Sequence, residues 1–334
     1  MRDNNSAIVT SQVALPGPGD PVSRPRPRPV APGLGLAALG VLAFSFSFPA
    51  TVLALDGLDP YLIGVGRAAA ATVLAVLALA AVRAPLPARH QWGGLAAAGL
   101  GVVFGFPVLS SLALDQGASS SHSAVVIGLL PGATAVCAVL RTRERPSAAF
   151  WLAVGAGAAC VGGFALSRGA GHVTPADLLL FGALLAGAIG YAEGGRLARD
   201  MPGWQVISWA LVLTGPVSVP VTLVLLGTGD PHWTGRALVG FGYVSAVSMF
   251  LGFFAWYAGL GRAGIARASQ VQLAQPVLTL GWSALFLGER LDALTGLAAV
   301  AVLGCVAWTQ RARSRPPAVP GPGPRPALAG EVAD

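Results

Sequence analysis

The sequence predicts an all-α integral membrane protein of ten transmembrane helices arranged as two inverted five-helix repeats. Three observations lead there. The 334 residues are 54% hydrophobic and only 10% charged, whereas an ordinary soluble domain is about a quarter charged. Uncharged runs lie between Arg89 and Asp115, Asp115 and Arg141, Arg145 and Arg168, Asp200 and Asp230, Arg236 and Arg262, and Arg267 and Glu289; each reaches the roughly 20 residues that a bilayer core demands. Finally, a shift of 145 residues, which carries Pro131 onto Pro276, lays the second half on the first without a gap.

Taken in order, residues 1–32 are polar and rich in Pro and Arg, and predict a disordered, solvated tail. No short apolar region with a small-residue cleavage site precedes the first span, so a cleaved signal peptide is not expected. Spans follow at about 33–54, 61–82, 92–114, 122–141 and 148–167, then at 177–197, 203–227, 237–260, 268–287 and 292–310. Helix is the conformation expected for each, because hydrocarbon offers nothing to satisfy the backbone of an open sheet and the segments do not alternate like barrel strands. The two repeats thus cover 33–167 and 177–310, and residues 311–334 predict a second disordered tail.

A formal charge of +7 and a pI near 10.3 would suggest a nucleic-acid partner in a soluble chain. Here the arginines sit between apolar runs and set topology instead. With both termini in the cytoplasm, the inner connections hold Arg83, Arg89, Arg141, Arg143, Arg145, Arg196, Arg199, Arg262 and Arg267. The outer ones hold Arg168, Arg236 and Arg290. Cys137, Cys160 and Cys305 fall inside apolar stretches without metal-ligand spacing and read as small packing side chains.

The repeat also aligns Thr134 with Thr279, Glu144-Arg145 with Glu289-Arg290, and Cys160-Val161 with Cys305-Val306. Five spans per copy is an odd number, so the copies must be inverted, an architecture of secondary transporters whose binding site lies at the repeat interface.

The stretches SAVVIGLLPGATAVCAVLRTRERPS (123–147) and GIARASQVQLAQPVLTLGWSALFLGERLD (264–292) resemble the fourth and ninth helices of the EamA-type family of the drug/metabolite transporter superfamily. The likeness extends over about 33–310. LFLGERL fits the family corner well; RTRERPS departs from it by lacking the glycine before the glutamate. The resemblance implies an exporter or exchanger of amino acids, other metabolites or drugs, with a cavity bordered by helices one, three, four, six, eight and nine. The expected setting is the plasma (inner) membrane, with a small-molecule substrate and lipid as partners, no nucleic acid and no cofactor. No phosphate-binding loop, nucleophile elbow or clustered metal ligands point to an enzyme. A channel, a membrane-embedded enzyme and a non-transporting scaffold are the competing classes.

Several residues are candidates for the mechanism, each with two readings. Arg67, a few residues inside the second span, either grips a substrate carboxylate through its planar fork or snorkels to the interface and pairs with Asp56 or Asp59. Glu193 either pairs with Arg196 on one helix face or accepts a cation or proton in the inner vestibule. Gln272, Gln275, Thr279 and Ser283 recur at intervals of three or four, and form one polar stripe that lines a cavity or bonds neighbouring helices. Pro131 and Pro276 are hinge or kink positions. Glu144 and Glu289 read as helix-corner carboxylates that accept from the N-terminus of the following helix, with a proton-coupling site as the alternative for Glu289. Phe46 and Tyr191, equivalent under the repeat shift, face the centre or pack ordinarily. Trp256 and Tyr257 read as interface anchors rather than a substrate clamp. His122 reads as a wet helix-end histidine rather than a metal ligand.

Overall fold

A computed structural model describes residues 30–142 and 146–313, and every regular element among them is a helix. The expected tails, apart from residues 30–32 and 311–313, and the corner residue Glu144 lie outside the described residues. Among the described residues nine helices are long and apolar enough to cross a bilayer: α1 (Ala31–Ala54), α2 (Pro60–Ala81), α3 (Arg89–Asp115), α4 (Ser120–Arg141), α5 (Ala148–Arg168), α6 (Pro175–Leu197), α7 (Gly203–Thr228), α8 (Gly235–Ala263) and Ala293–Ala312. The last belongs to α11, Ala293–Arg313. In place of the ninth expected span the chain forms two shorter helices, α9 (Ile265–Gln272) and α10 (Ala274–Leu287). Large apolar side chains such as Leu77, Leu152, Leu223 and Leu297 are exposed on the outer faces, as a lipid-facing surface requires.

Local chemistry sets the helix starts. The Asp59 carboxylate accepts from the Tyr61 N–H at 2.8 Å, and Pro60 occupies the first turn of α2, where its missing donor costs nothing. Thr174 and Asp177 form a capping box at the head of α6. Ser119, Ser147 and Thr234 cap α4, α5 and α8. Asp292 accepts from the Thr295 N–H at 3.0 Å at the head of α11. The Thr295 hydroxyl and then the Arg168 guanidinium hold the Asp292 carboxyl well below the usual carboxylate range. The contribution of such a depressed carboxyl is fully present above its unfolded value, about 3.9, and is lost as pH falls through the folded one. The tie it makes between α5 and α11 therefore stays constant across neutral pH.

The halves pack reciprocally. Helix α1 lies against α8 and α3 against α6; α4 contacts α6 and α10 contacts α1; α2 pairs with α7, α5 with α11, and α4 with α10. The first two contacts are made through small residues. A Cβ on Gly40 would stand 2.9 Å from Trp256 Cα, and one on Gly259 would stand 2.8 Å from Ala37 Cα. On the other side, Gly101 meets the Ala186 carbonyl and Gly190 meets the Val102 backbone. Lipid tails are as apolar as Leu, so helices in a membrane associate through such close backbone approach rather than hydrophobic exclusion.

Irregularities recur in both halves. Residues Gly99–Gly105 of α3 and Tyr243–Leu251 of α8 are wound as π-helix. Helix α4 steps at Gly128 and Leu129, between Ser120–Ile127 and Leu130–Thr142, and α9 gives way to α10 at Leu273. Pro131 and Pro276 lie in the first turn after these steps, where a helix has no internal use for the missing donor.

Gly259→Ala should lose roughly 1–3 kcal/mol of stability through overpacking against α1. Gly35→Ala, at a position where a Cβ meets nothing within 4 Å, should be neutral or stabilise by up to about 1 kcal/mol. Thermal unfolding in detergent compares the two; equal behaviour would refute the close-packing account.

Candidate functional site

Helices α1, α2, α3, α4, α6, α8 and α10 surround a central cavity, with about 30 Å³ open to the centre of a water molecule, room for a water or two. Five of its twelve described lining residues are aromatic. Phe44 lies 4.8 Å from Phe253 and 6.2 Å from Tyr191, centroid to centroid, and Phe48 lies 6.2 Å from Phe106. Arg67 is the charged residue among the described lining residues. Its side chain is 3% exposed, donates from Nη2 to Ser248 Oγ at 3.2 Å, and has no partner at Nε. Ser248 shares a further hydrogen bond of 2.7 Å with Ser47. The π-helical winding of α8 contains Ser248, in keeping with the frequent location of such winding at functional sites.

The alternative snorkelling geometry for Arg67 is not formed. Asp59 caps α2 and Asp56 lies 3.9 Å from Arg236. The polar stripe divides. Gln275 lines the central cavity, and with Gln272 borders a narrow adjoining space beside Pro131 and Pro276; Gln275 Oε1 and Gln272 Nε2 have no partner. Thr279 borders the same narrow space and also donates to the Ser45 carbonyl at 2.7 Å, whereas Ser283 lines neither space and donates to Ser120 Oγ at 2.8 Å. These two join α10 to α1 and to α4.

Of the repeat-related aromatic pair, Tyr191 lines the cavity and Phe46 does not. Phe46 sits where α1 turns between its two segments, and packs outward against Tyr243, Trp282 and Phe286. That turn breaks the helical phase, so Phe44 and Phe48 point inward instead. Trp256 and Tyr257 are not interface anchors: each is 1% exposed. Gly40 leaves space for the Trp256 backbone, and Gly194 and Gly203 leave space for Tyr257, which pulls both rings into the interior.

Separate polar contacts join α4 to α6 toward each end of the two helices, on either side of the residues that line the cavity. At one end, His122 Nε2 lies 2.7 Å from Asp177 Oδ1, and the imidazole stacks on Phe164; His122 is therefore a partly buried bonding residue rather than a wet one. Glu289 reaches the same place. It follows Gly288, whose left-handed conformation ends α10, and its two carboxylate oxygens accept from the Ser120 and Ser121 N–H groups at 2.9 Å each. The recipient is thus the start of α4, in the other half, and not the following helix. Beyond this closure a wide vestibule is lined by Gln116, Arg168, Thr174, Glu289, Arg290 and Thr295, among others. At the other end, Glu193 lies 3.0 Å from Arg196 and 2.7 Å from Arg141, so the same-face pair is one half of a bridge to α4. Among the described residues no group of His, Cys, Asp and Glu could hold a metal ion.

An all-helical bundle with apolar outer faces and an enclosed, part-polar cavity between two similarly built halves is the class these observations define: a multi-pass membrane protein with an occluded internal site. The EamA-like transporter family model matches the chain twice, over residues 31–167 and 174–310, and the chain belongs to that family. It is 43% identical over 268 residues to a Bacillus subtilis (strain 168) protein described as the uncharacterized transporter YdeK, spanning 79% of this chain and 92% of that one. A protein of known crystal structure shares the fold at a TM-score of 0.60 and 17% identity, over 85% of this chain and 98% of the other.

Sequence reasoning missed both closures between α4 and α6 and both π-helical stretches. The Thr174-to-Asp177 box was visible, but nothing local pairs Asp177 with a histidine 55 residues earlier.

Removing the Glu289 cap should be measurable. Glu289→Ala should lower stability by about 0.5–2 kcal/mol, as loss of an N-cap does. Glu289→Gln, which keeps one acceptor, should lose less. If thermal unfolding finds both variants equal to the parent, Glu289 is not a cap.

Proposed function

We propose that this protein is a secondary transporter that exports a small metabolite, such as an amino acid or related solute, or a drug, across the plasma membrane by alternating access between two inverted five-helix repeats. On this reading α9 and α10 together make the ninth of ten crossings, and both termini are cytoplasmic. The Asp177 end then faces outward and the Glu193 end inward. The carrying observation is the small cavity between the halves, with a separate contact between α4 and α6 toward each helix end, which we read as its two closures. A carrier needs two seals that open in turn; a channel needs an open water path, which a cavity of this size does not supply.

The reciprocal helix pairing supports the inversion, as do the recurring irregularities. Shifted by 145 residues, the π-helical Gly99–Gly105 falls within Tyr243–Leu251, and Gly128 falls on Leu273. The steps ahead of Pro131 and Pro276 lie at the level of the cavity and serve as hinges. Ser120–Ile127, held by Asp177 and Glu289, can then move apart from Leu130–Thr142, held by Glu193. Opening at one end leaves the other seal intact.

Counterflow in liposomes, run against pooled amino acids, other metabolites and cationic drugs, would identify the solute. His122→Cys/Asp177→Cys, on a background lacking Cys137, Cys160 and Cys305, can then be bridged by a short bifunctional thiol reagent. The bridge should reduce counterflow at least ~10-fold, as a blocked conformational step must. Undiminished counterflow in the bridged protein would remove the alternating-access reading.

A further inference from the structure

We infer that the central cavity, which holds only a water or two in this closed arrangement and must widen as one closure opens, takes an organic monocarboxylate, whose carboxylate is held by Arg67 and whose apolar body lies among the aromatic rings of α1, α3 and α8. The inference rests on the transporter reading only for what happens next to the bound molecule; the binding itself follows from the cavity.

Arg67 is a guanidinium, a group that stays charged in proteins, and it is 97% buried within a helix bundle that lipid surrounds. A buried cation is expensive unless a counter-charge and hydrogen bonds compensate it. None of the ion pairs among the described residues includes Arg67. Its protein partner is a neutral serine hydroxyl, and Nε is without one. The unspent donor therefore lies beside the cavity that Arg67 helps to line, so the missing anion belongs in that cavity.

The donor geometry and the walls narrow its chemistry. A planar fork suits a planar two-oxygen acceptor, and a carboxylate matches it in paired hydrogen bonds. A single cation in the described lining compensates one negative charge, which disfavours dianions such as phosphate esters. The rings of Phe44, Phe48, Phe106, Tyr191 and Phe253 line the cavity beside Arg67, and Gln275, whose amide oxygen has no partner, lines it too. An inorganic anion would leave those rings without contact. A cationic ligand would meet Arg67 with no acidic side chain in the described lining to offset the repulsion.

The test uses the purified full-length protein in detergent and reads ligand-induced thermal stabilisation, which reports binding to the folded state. The probes are phenylacetate, hexanoate, phenylacetamide, phenethylamine and sodium chloride. Both carboxylates should raise the melting temperature at millimolar concentration, and the amide, amine and chloride should not. Arg67→Gln should weaken the carboxylates by about 10- to 100-fold, the range for a hydrogen bond to a charged group, and Arg67→Lys should fall between. Ligand-free Arg67→Gln should melt no lower than the parent, because it loses an uncompensated charge. A lower melting point would mark Arg67 as structural and overturn the inference. So would stabilisation by chloride alone, equal shifts with amide and acid, or no shift with either acid. The parent comparison of acid with amide needs no variant to fold. Counterflow with the same probes separates the two readings. Carboxylates that bind without any solute crossing would leave this inference standing and remove the transporter reading. Neutral or cationic probes crossing equally well in the parent and in Arg67→Gln would do the reverse.

Discussion

Close backbone approach between helices of opposite halves is the constraint on which this structure depends. In lipid, apolar side chains gain little by touching one another rather than the surrounding tails, so two helices stay together only where their surfaces meet closely. Gly40 and Gly259 give that approach between α1 and α8, and Gly101 and Gly190 give it between α3 and α6. Both contacts pair one half with the other, and the larger side chains near them are driven toward the middle. The aromatic wall of the cavity and the burial of Trp256 and Tyr257 follow from the same absence of side chains at their neighbours.

Polar chemistry is then confined to three levels. At each end, carboxylates on α6 or after α10 hold the ends of α4: Asp177 through His122, Glu289 through two backbone N–H groups, and Glu193 through Arg141. The contacts differ in setting: the His122 and Asp177 side chains are only 12% and 1% exposed, whereas an ion pair with an exposed member is cheap to form and to break, contributing about 0–1 kcal/mol. Arg141, 63% exposed at its side chain, belongs to that regime. The middle level differs in kind. Arg67 is sealed from water and from counter-charge, so whatever it meets there is felt at low dielectric and in full.

Nine of the ten expected spans and the two family-like copies of the chain were legible in the sequence, as were the positions of Glu289 and the prolines, because apolar run length and repeat spacing are linear signals. Arg67 was legible as an ion too deep for its surroundings. Phase within a helix was not. The turn at Phe46 rotates α1, so the repeat-equivalent of Tyr191 packs outward while Phe44 and Phe48 replace it inside; Pro49, in the first turn after the break and without an N–H for the Ser45 carbonyl, was the local sign of it. The π-helical stretches are equally silent, since one extra residue per turn leaves hydropathy unchanged. The end closures are contacts between distant segments. Asp177 reads locally as the third residue of a capping box, and it does serve one; that its other carboxylate oxygen bonds His122 depends on α4 and α6 lying side by side.

The three levels also differ in what they ask of α4 on the proposed reading. Its first segment answers to Asp177 and Glu289, its second to Glu193, and Leu130, at the step between them, borders the cavity. A continuous helix tied at both ends would transmit every movement from one closure to the other, and the two could not open in turn. A helix interrupted at Gly128 and Leu129 lacks that rigid coupling. The same division in the other half, between α9 and α10 at Leu273, brings Gln272 and Gln275 to either side of a break. Occupancy of the cavity can then bias the geometry of both broken helices, because Leu130 of α4 and Gln275 of α10 line it together with Arg67. A bound anion that satisfies Arg67 removes the cost of sealing that charge away from water, which makes the doubly closed arrangement the one a loaded carrier would favour.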